Sequence, residues 1–130
     1  MSKNDHQDGL SDLGVVILIE DNEDHAWEVK KSLEEFYGAT GIKFEVVWLQ
    51  KLSEALAYID QIKKDRIVLS AWIDLYLGDY GDSMSPDQIM TVVRDRLNGV
   101  TENIFPMSAL IGSSDYKGFV KKEELFNRDQ

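Results

Sequence analysis

Three apolar runs in this sequence end on residues that can do chemistry. Residues 15–19 read VVILI and are followed at once by Glu20, Asp21 and Asn22. Residues 67–73 read IVLSAWI and are followed by Asp74, and residues 104–112 lead into Ser113 and Ser114. Acids that sit within one residue of a hydrophobic strand are poor candidates for plain solvated surface, although Asp74 taken alone also suits a turn cap. If the three carboxylates meet, they repel one another and need a cation, and oxygen ligands without His or Cys select Mg²⁺ or a similar hard ion. A carboxylate held at such an ion can attack a phosphoryl donor while the metal neutralises charge on the transferring oxygens.

The elements that must bring these residues together alternate in type. Residues 15–19 suit a buried strand, and a helix follows over 23–37 with Ala26, Val29, Leu33 and Phe36 spaced three or four apart. Residues 43–49 predict a second strand, 44–49 being rich in valine and aromatics. Ser53 and Glu54 open a second helix whose buried stripe is Ala55, Leu56, Ile59 and Ile62. The third strand is the run ending at Asp74, the organising stretch of the chain, which passes into a loop marked by Gly78 and Gly81. That loop carries Asp79 and Asp82 but lacks the alternating acids closed by a glutamate that a calcium loop requires. Ser85, Pro86 and Gln88 make a capping box with proline at the first helical position, opening a third helix that buries Ile89, Val92, Val93 and Leu97. A fourth strand is expected over 104–112, and only short pieces, 119–122 and 123–130, remain.

Strands alternating with helices predict right-handed crossovers and an α/β fold with a parallel sheet, so that all strand carboxyl ends share one edge. In open α/β sheets ligands collect at that edge, where the strand order reverses. Glu20, Asp21, Asp74 and Ser113 all belong to it.

At 130 residues the chain is sized for one domain with a real core, residues 15–130, behind a polar leader at 1–14. A net charge of −10 disfavours direct nucleic-acid binding, since such a chain repels phosphate backbones. The longest aliphatic run is too short to cross a bilayer and the polar N-terminus is no signal peptide, so a cytoplasmic protein without membrane attachment is expected. The absence of cysteine excludes disulfides, thiolate metal sites and thiol catalysis. His6 lies in the leader and His25 reads as a surface helix residue, so neither is a ligand.

In this order the segments VVILIEDNEDH, LSEAL, WIDLYLGD, SALIGSS and GFVKK cover nearly all of residues 15–125, and the chain resembles the receiver domain of two-component response regulators. The resemblance implies a flavodoxin-like, three-layer sandwich around a central, mostly parallel sheet. It implies that Asp74 is the phosphoacceptor and that Glu20, Asp21, Asp74 and the backbone carbonyl of Tyr76 hold Mg²⁺. Ser113 would contact the phosphoryl group, Lys122 would be the conserved-type lysine and Phe119 the switch aromatic. Several features depart from the pattern: Gly78 and Glu123 stand where proline is usual, and the loop before the third helix is long. Only Asp115, Tyr116 and Lys117 separate Ser114 from Gly118, too few for a parallel crossover, so the fourth helix is expected to be missing and the last one short. Were the tail to fold back as an antiparallel hairpin, Lys117 would replace Lys122 as the cation near the phosphoryl group.

The function expected from this is a single-domain receiver without enzymatic turnover of its own beyond self-catalysed phosphotransfer. It would take a phosphoryl group on Asp74 from a histidine kinase or phosphotransfer protein and change its affinity for a downstream protein. The competing expectation is a pseudo-receiver, a phosphorylation-independent interaction module that keeps the scaffold. A haloacid-dehalogenase-like phosphatase is set aside because Tyr76 occupies the place of its second acid. The shortened end leaves residues 107–111 in need of cover, so a homodimer, by face-to-face packing or by exchange of residues 119–126, is also expected.

Overall fold

The computed structural model describes residues 13–75, 84–108 and 120–121. Along the chain run β1 (Gly14–Ile19), α1 (Glu23–Gly38), β2 (Phe44–Leu49), α2 (Leu52–Ile62), β3 (Val68–Asp74), α3 (Pro86–Leu97), β4 (Ile104–Ser108) and β5 (Val120–Lys121). The strands form one sheet in the order β2-β1-β3-β4-β5 with every pairing parallel. This is the flavodoxin-like α/β arrangement. Three helices occur among the described residues, none long and apolar enough to cross a membrane. Of the leader expected at 1–14, residues 1–12 lie outside the described residues while Gly14 already belongs to β1; residues 109–119 and 122–130, where the shortened end was expected, also lie outside.

The strand alternation of two sorts the core into two layers. On one face Val15, Ile17 and Ile19 of β1 and Ala71 and Ile73 of β3 pack under α2 and α3, with Ala55, Ile59, Ile89, Val93 and Leu97. On the other face Val16, Leu18, Trp72 and Met107 pack under α1, with Ala26, Val29 and Leu33. All five residues 15–19 are fully buried, which is why β1 reads as an unbroken apolar run rather than an alternating one. Each such side chain is worth about 1.5–3 kcal/mol of burial.

The helix starts are made locally. Asn22 caps α1, its side chain accepting from the His25 N–H at 3.1 Å, and Glu23 and Asp24 complement the dipole in the first turn. The capping box at α3 forms in both directions, Gln88 N–H to Ser85 Oγ at 3.2 Å and Ser85 N–H to Gln88 Oε1 at 2.8 Å. At α2 the expectation fails: the helix begins at buried Leu52, and its N-cap position, Lys51, makes no side-chain cap bond. Burial of Leu52 against the sheet sets that start, outweighing the polar signal of Ser53 and Glu54. In α3, Met90 rather than Val92 is buried. Ile89, Val93 and Leu97 define the stripe, Met90 and Val92 flank it on opposite sides, and the packing takes the methionine side. Ile67, counted with the third strand in the sequence, precedes β3 and is exposed.

β1 and β3 slip by one residue between Val15 and Val16, so that Val15 pairs with Val68 and Val16 with Ser70. The intervening Leu69 closes against the start of β1. A Cβ on Gly14 would lie 2.6 Å from Leu69 Cδ1, so a larger residue there would oblige the Leu69 side chain to shift.

The slip also turns Ser70 into the α1 layer, where it is fully buried and polar. It is satisfied from two sides: the Trp72 Nε1–H donates to Ser70 Oγ at 2.9 Å, and Tyr37 Oη of α1 lies 2.7 Å from the same oxygen. Trp72 in turn stacks on Phe105, with ring centroids 4.4 Å apart. Replacing Ser70 by Ala leaves a buried indole N–H without an acceptor and should cost about 1–3 kcal/mol, whereas Tyr37→Phe, which leaves that bond intact, should cost about 1 kcal/mol or less. Urea denaturation distinguishes them, and equal losses would mean that Ser70 does not anchor the network.

Candidate functional site

The site is built where the strand order reverses. The chain leaves β1 for β2 on one side and returns to β3 on the other, so the crevice at the carboxyl ends of β1 and β3 is the topological switch point. Ile19 is paired with Ile73, and one further step along the same register sets Glu20 beside Asp74. Asp74 follows Ser70 and Trp72 by steps of two, and Glu20 follows Val16 and Leu18 in the same way, so both acids lie on the α1 side of the sheet.

Glu20 is fully buried, Asp74 is 6% exposed and Asp21 is exposed. One carboxylate oxygen from each of the three lies within 4.8 Å of the others. At that separation a pair of charges repels by about 1 kcal/mol in bulk water and about 3 kcal/mol at the effective dielectric of a protein surface. Crowding of this kind is favourable only if a proton or a cation offsets it.

Local hydrogen bonds shape the turn from β1 into α1. The Glu20 N–H donates to the Leu49 carbonyl at 3.1 Å and the Glu20 carbonyl accepts from Trp48 Nε1–H at 2.7 Å. The Asn22 N–H donates to Glu20 Oε2 at 3.3 Å, and the Asn22 carbonyl accepts from the Ala26 N–H at 2.9 Å. Glu20 is thereby tied to the end of β2 and to the first turn of α1.

Three oxygen donors without nitrogen or sulfur suit a hard divalent cation, and two of them come from separate strands, as a rigid site requires. The cluster could therefore hold a metal ion. A separate open pocket of about 600 Å³, lined by Arg94, Asn98, Thr101 and Asn103 among others, sits where α3 turns into β4. That is the amino end of β4, away from the acids.

Of the residues singled out in the sequence, Glu20, Asp21 and Asp74 are brought together as expected. Tyr76, Ser113, Lys117, Phe119 and Lys122 lie outside the described residues, as do Gly78, Asp79 and Asp82. The backbone of β5 bears on the tail, however. Val120 pairs with Met107, which pairs with Asp74, and all three strands run in one direction. At these residues the tail is a parallel fifth strand and not the antiparallel hairpin, so β5 runs toward the edge that carries the acids. Two contributors went unseen in the sequence. Asn22 before Glu23, Asp24 and an apolar stripe is a readable N-cap signal, but nothing marks Trp48 as the donor to Glu20, 28 residues away.

No protein-family model matches the chain, and no curated protein matches it either. The fold and the acidic cluster are consistent with a receiver domain.

Asp21 is expected to matter for cation binding and not for folding. Asp21→Ala relieves repulsion, so its thermal midpoint without divalent cation should equal or exceed that of the unmodified chain, while the stabilisation that a divalent cation confers should vanish. Thermal melts with and without Mg²⁺ test both halves; a variant stabilised by Mg²⁺ as much as the parent would remove Asp21 from the site.

Proposed function

We propose that the chain is a phosphoacceptor receiver module in which Asp74 takes a phosphoryl group from a histidine kinase or phosphotransfer protein. One observation carries this reading: a nearly buried carboxylate ends the central strand of a parallel sheet ordered 2-1-3-4-5, with two further carboxylates within 4.8 Å of it. The order of the five sequence segments supports it.

On this reading Glu20, Asp21 and Asp74 hold Mg²⁺ with the Tyr76 carbonyl, and the ion supplies charge neutralisation for the transferring oxygens. Asp74 provides the nucleophile. A carboxylate oxygen forms a new O–P bond as the P–N bond of the donor phosphohistidine breaks, and the electron pair stays on the imidazole nitrogen. Water later cleaves the acyl phosphate, returning the carboxylate and inorganic phosphate. Glu20 and Asp74 are buried while Asp21 is exposed, so Asp21 is the acid of the three that an incoming donor meets in solvent. Ser113 and Lys122 receive the phosphoryl oxygens, the parallel course of β5 removing the ground for Lys117, and Phe119 reports the change to a downstream protein. The module acts in the cytoplasm, without nucleic acid or membrane, and homodimerisation is one form its output can take.

A second reading, a pseudo-receiver that binds partners without phosphorylation, is favoured by the link between β4 and β5. Residues 109–119 are all that join these parallel neighbours, just short of the usual helical crossover.

Mass spectrometry after incubation with acetyl phosphate and Mg²⁺ separates the two. The expected result is one added phosphoryl group on the unmodified chain and none on Asp74→Asn. An unchanged mass, under conditions that label an ordinary receiver, selects the pseudo-receiver.

A further inference from the structure

We propose that Trp48 is a positioning residue for the acidic site: its indole N–H holds the Glu20–Asp21 peptide and so keeps the Asp21 carboxylate within reach of Asp74. The proposal rests on the reading of the three acids as a cation site.

The backbone ladder cannot do this. The β1–β2 register ends at Ile19 opposite Leu49, and the last bond from β1 is the Glu20 N–H to the Leu49 carbonyl at 3.1 Å. Beyond it the Glu20 carbonyl has passed the end of β2. The Trp48 Nε1–H fills the gap, donating to that carbonyl at 2.7 Å. The two peptide units flanking Glu20 are thus each bonded to one of the last two residues of β2. On the far side Asn22 is fixed as the cap of α1, through His25 N–H to its Oδ1 and Ala26 N–H to its carbonyl.

Asp21 stands between these two anchors and is itself exposed, so its backbone course sets where its carboxylate starts from. Rotation of the Glu20–Asp21 peptide is the motion that would let it go, and that rotation breaks the Trp48 bond. The indole is suited to the task because it is a donor only, and its ring is partly buried among the α1-side core residues. The other two tryptophans serve elsewhere: Trp72 donates to Ser70, and Trp27 is exposed on α1 with Lys31 Nζ 5.3 Å from its ring centroid.

Trp48→Phe keeps the ring and deletes the donor. Calorimetric titration with Mg²⁺ should show roughly fivefold weaker binding than the unmodified chain, the worth of one net hydrogen bond. Trp72→Phe, which loses an equivalent bond to Ser70, should stay within about twofold of the parent by the same measure. Unchanged affinity in Trp48→Phe, or an equal loss in both variants, overturns the proposal. Hydrogen exchange in the Mg²⁺-free protein gives a readout that does not need the cation: the Glu20 and Asn22 amides should exchange faster in Trp48→Phe, while amides of β3 keep their rates. If the parent binds no Mg²⁺, the cation reading falls, and unchanged exchange at Glu20 and Asn22 overturns the hold by Trp48 as well. Should the variant not fold, the unmodified chain decides: the Trp48 indole N–H should be protected from exchange relative to that of Trp27, and equal rates overturn the proposal.

Discussion

The parallel pairing of β1 with β3 is the interaction on which the rest depends. Its register, Ile19 against Ile73, sets Glu20 next to Asp74 where both strands run out of sheet. A slip of one residue would turn Asp74 to the other face and separate it from Glu20, because side chains alternate along a strand. The register is held by burial on both sides: residues 15–19 are inaccessible to water, and Ala71, Trp72 and Ile73 are nearly so. Moving the strand by one place would exchange the whole of one layer for the other. The acidic cluster is therefore secured by apolar packing several residues away from any charge.

That arrangement also explains how the fold tolerates carboxylates in mutual repulsion. A penalty of a few kcal/mol at the edge is small beside the burial of a double-sided central strand, at about 1.5–3 kcal/mol for each large side chain. The exposed acid, Asp21, sits at the turn into α1, where its neighbours on both sides are bonded to other elements. The network of Ser70, Trp72 and Tyr37 is the site's counterpart deeper in the same layer, satisfying the single buried hydroxyl of β3 and joining α1 to that strand.

Much of this was legible in the chain. The alternation of strands and helices, the doubly buried run at 15–19, the capping box at Ser85 and the placement of Glu20, Asp21 and Asp74 at strand ends all follow from local pattern. Periodicity of 3.6 or 2 needs no knowledge of distant residues, and a capping box closes within four residues. For the same reason the α/β class and its parallel sheet could be derived before any coordinate.

The tertiary structure decided what pattern leaves open. Whether Met90 or Val92 is buried depends on which flank of α3 meets the sheet, and whether α2 starts at Leu52 or Ser53 depends on the space under that leucine. The slip at Leu69, which turns Ser70 inward toward Tyr37, has no signature in a run that reads IVLSAWI. Counting residues spoke against a parallel crossover from β4 to β5, yet the two strands pair in parallel. Trp48 is one of two aromatics in β2, with Phe44, until the fold sets its indole against the Glu20 carbonyl. The sequence alone established that Glu20, Asp21 and Asp74 close β1 and β3 at one edge, because those are local properties of alternation and chain direction. How closely they approach, and what holds them there, are contacts between segments tens of residues apart, and only packing chooses among them.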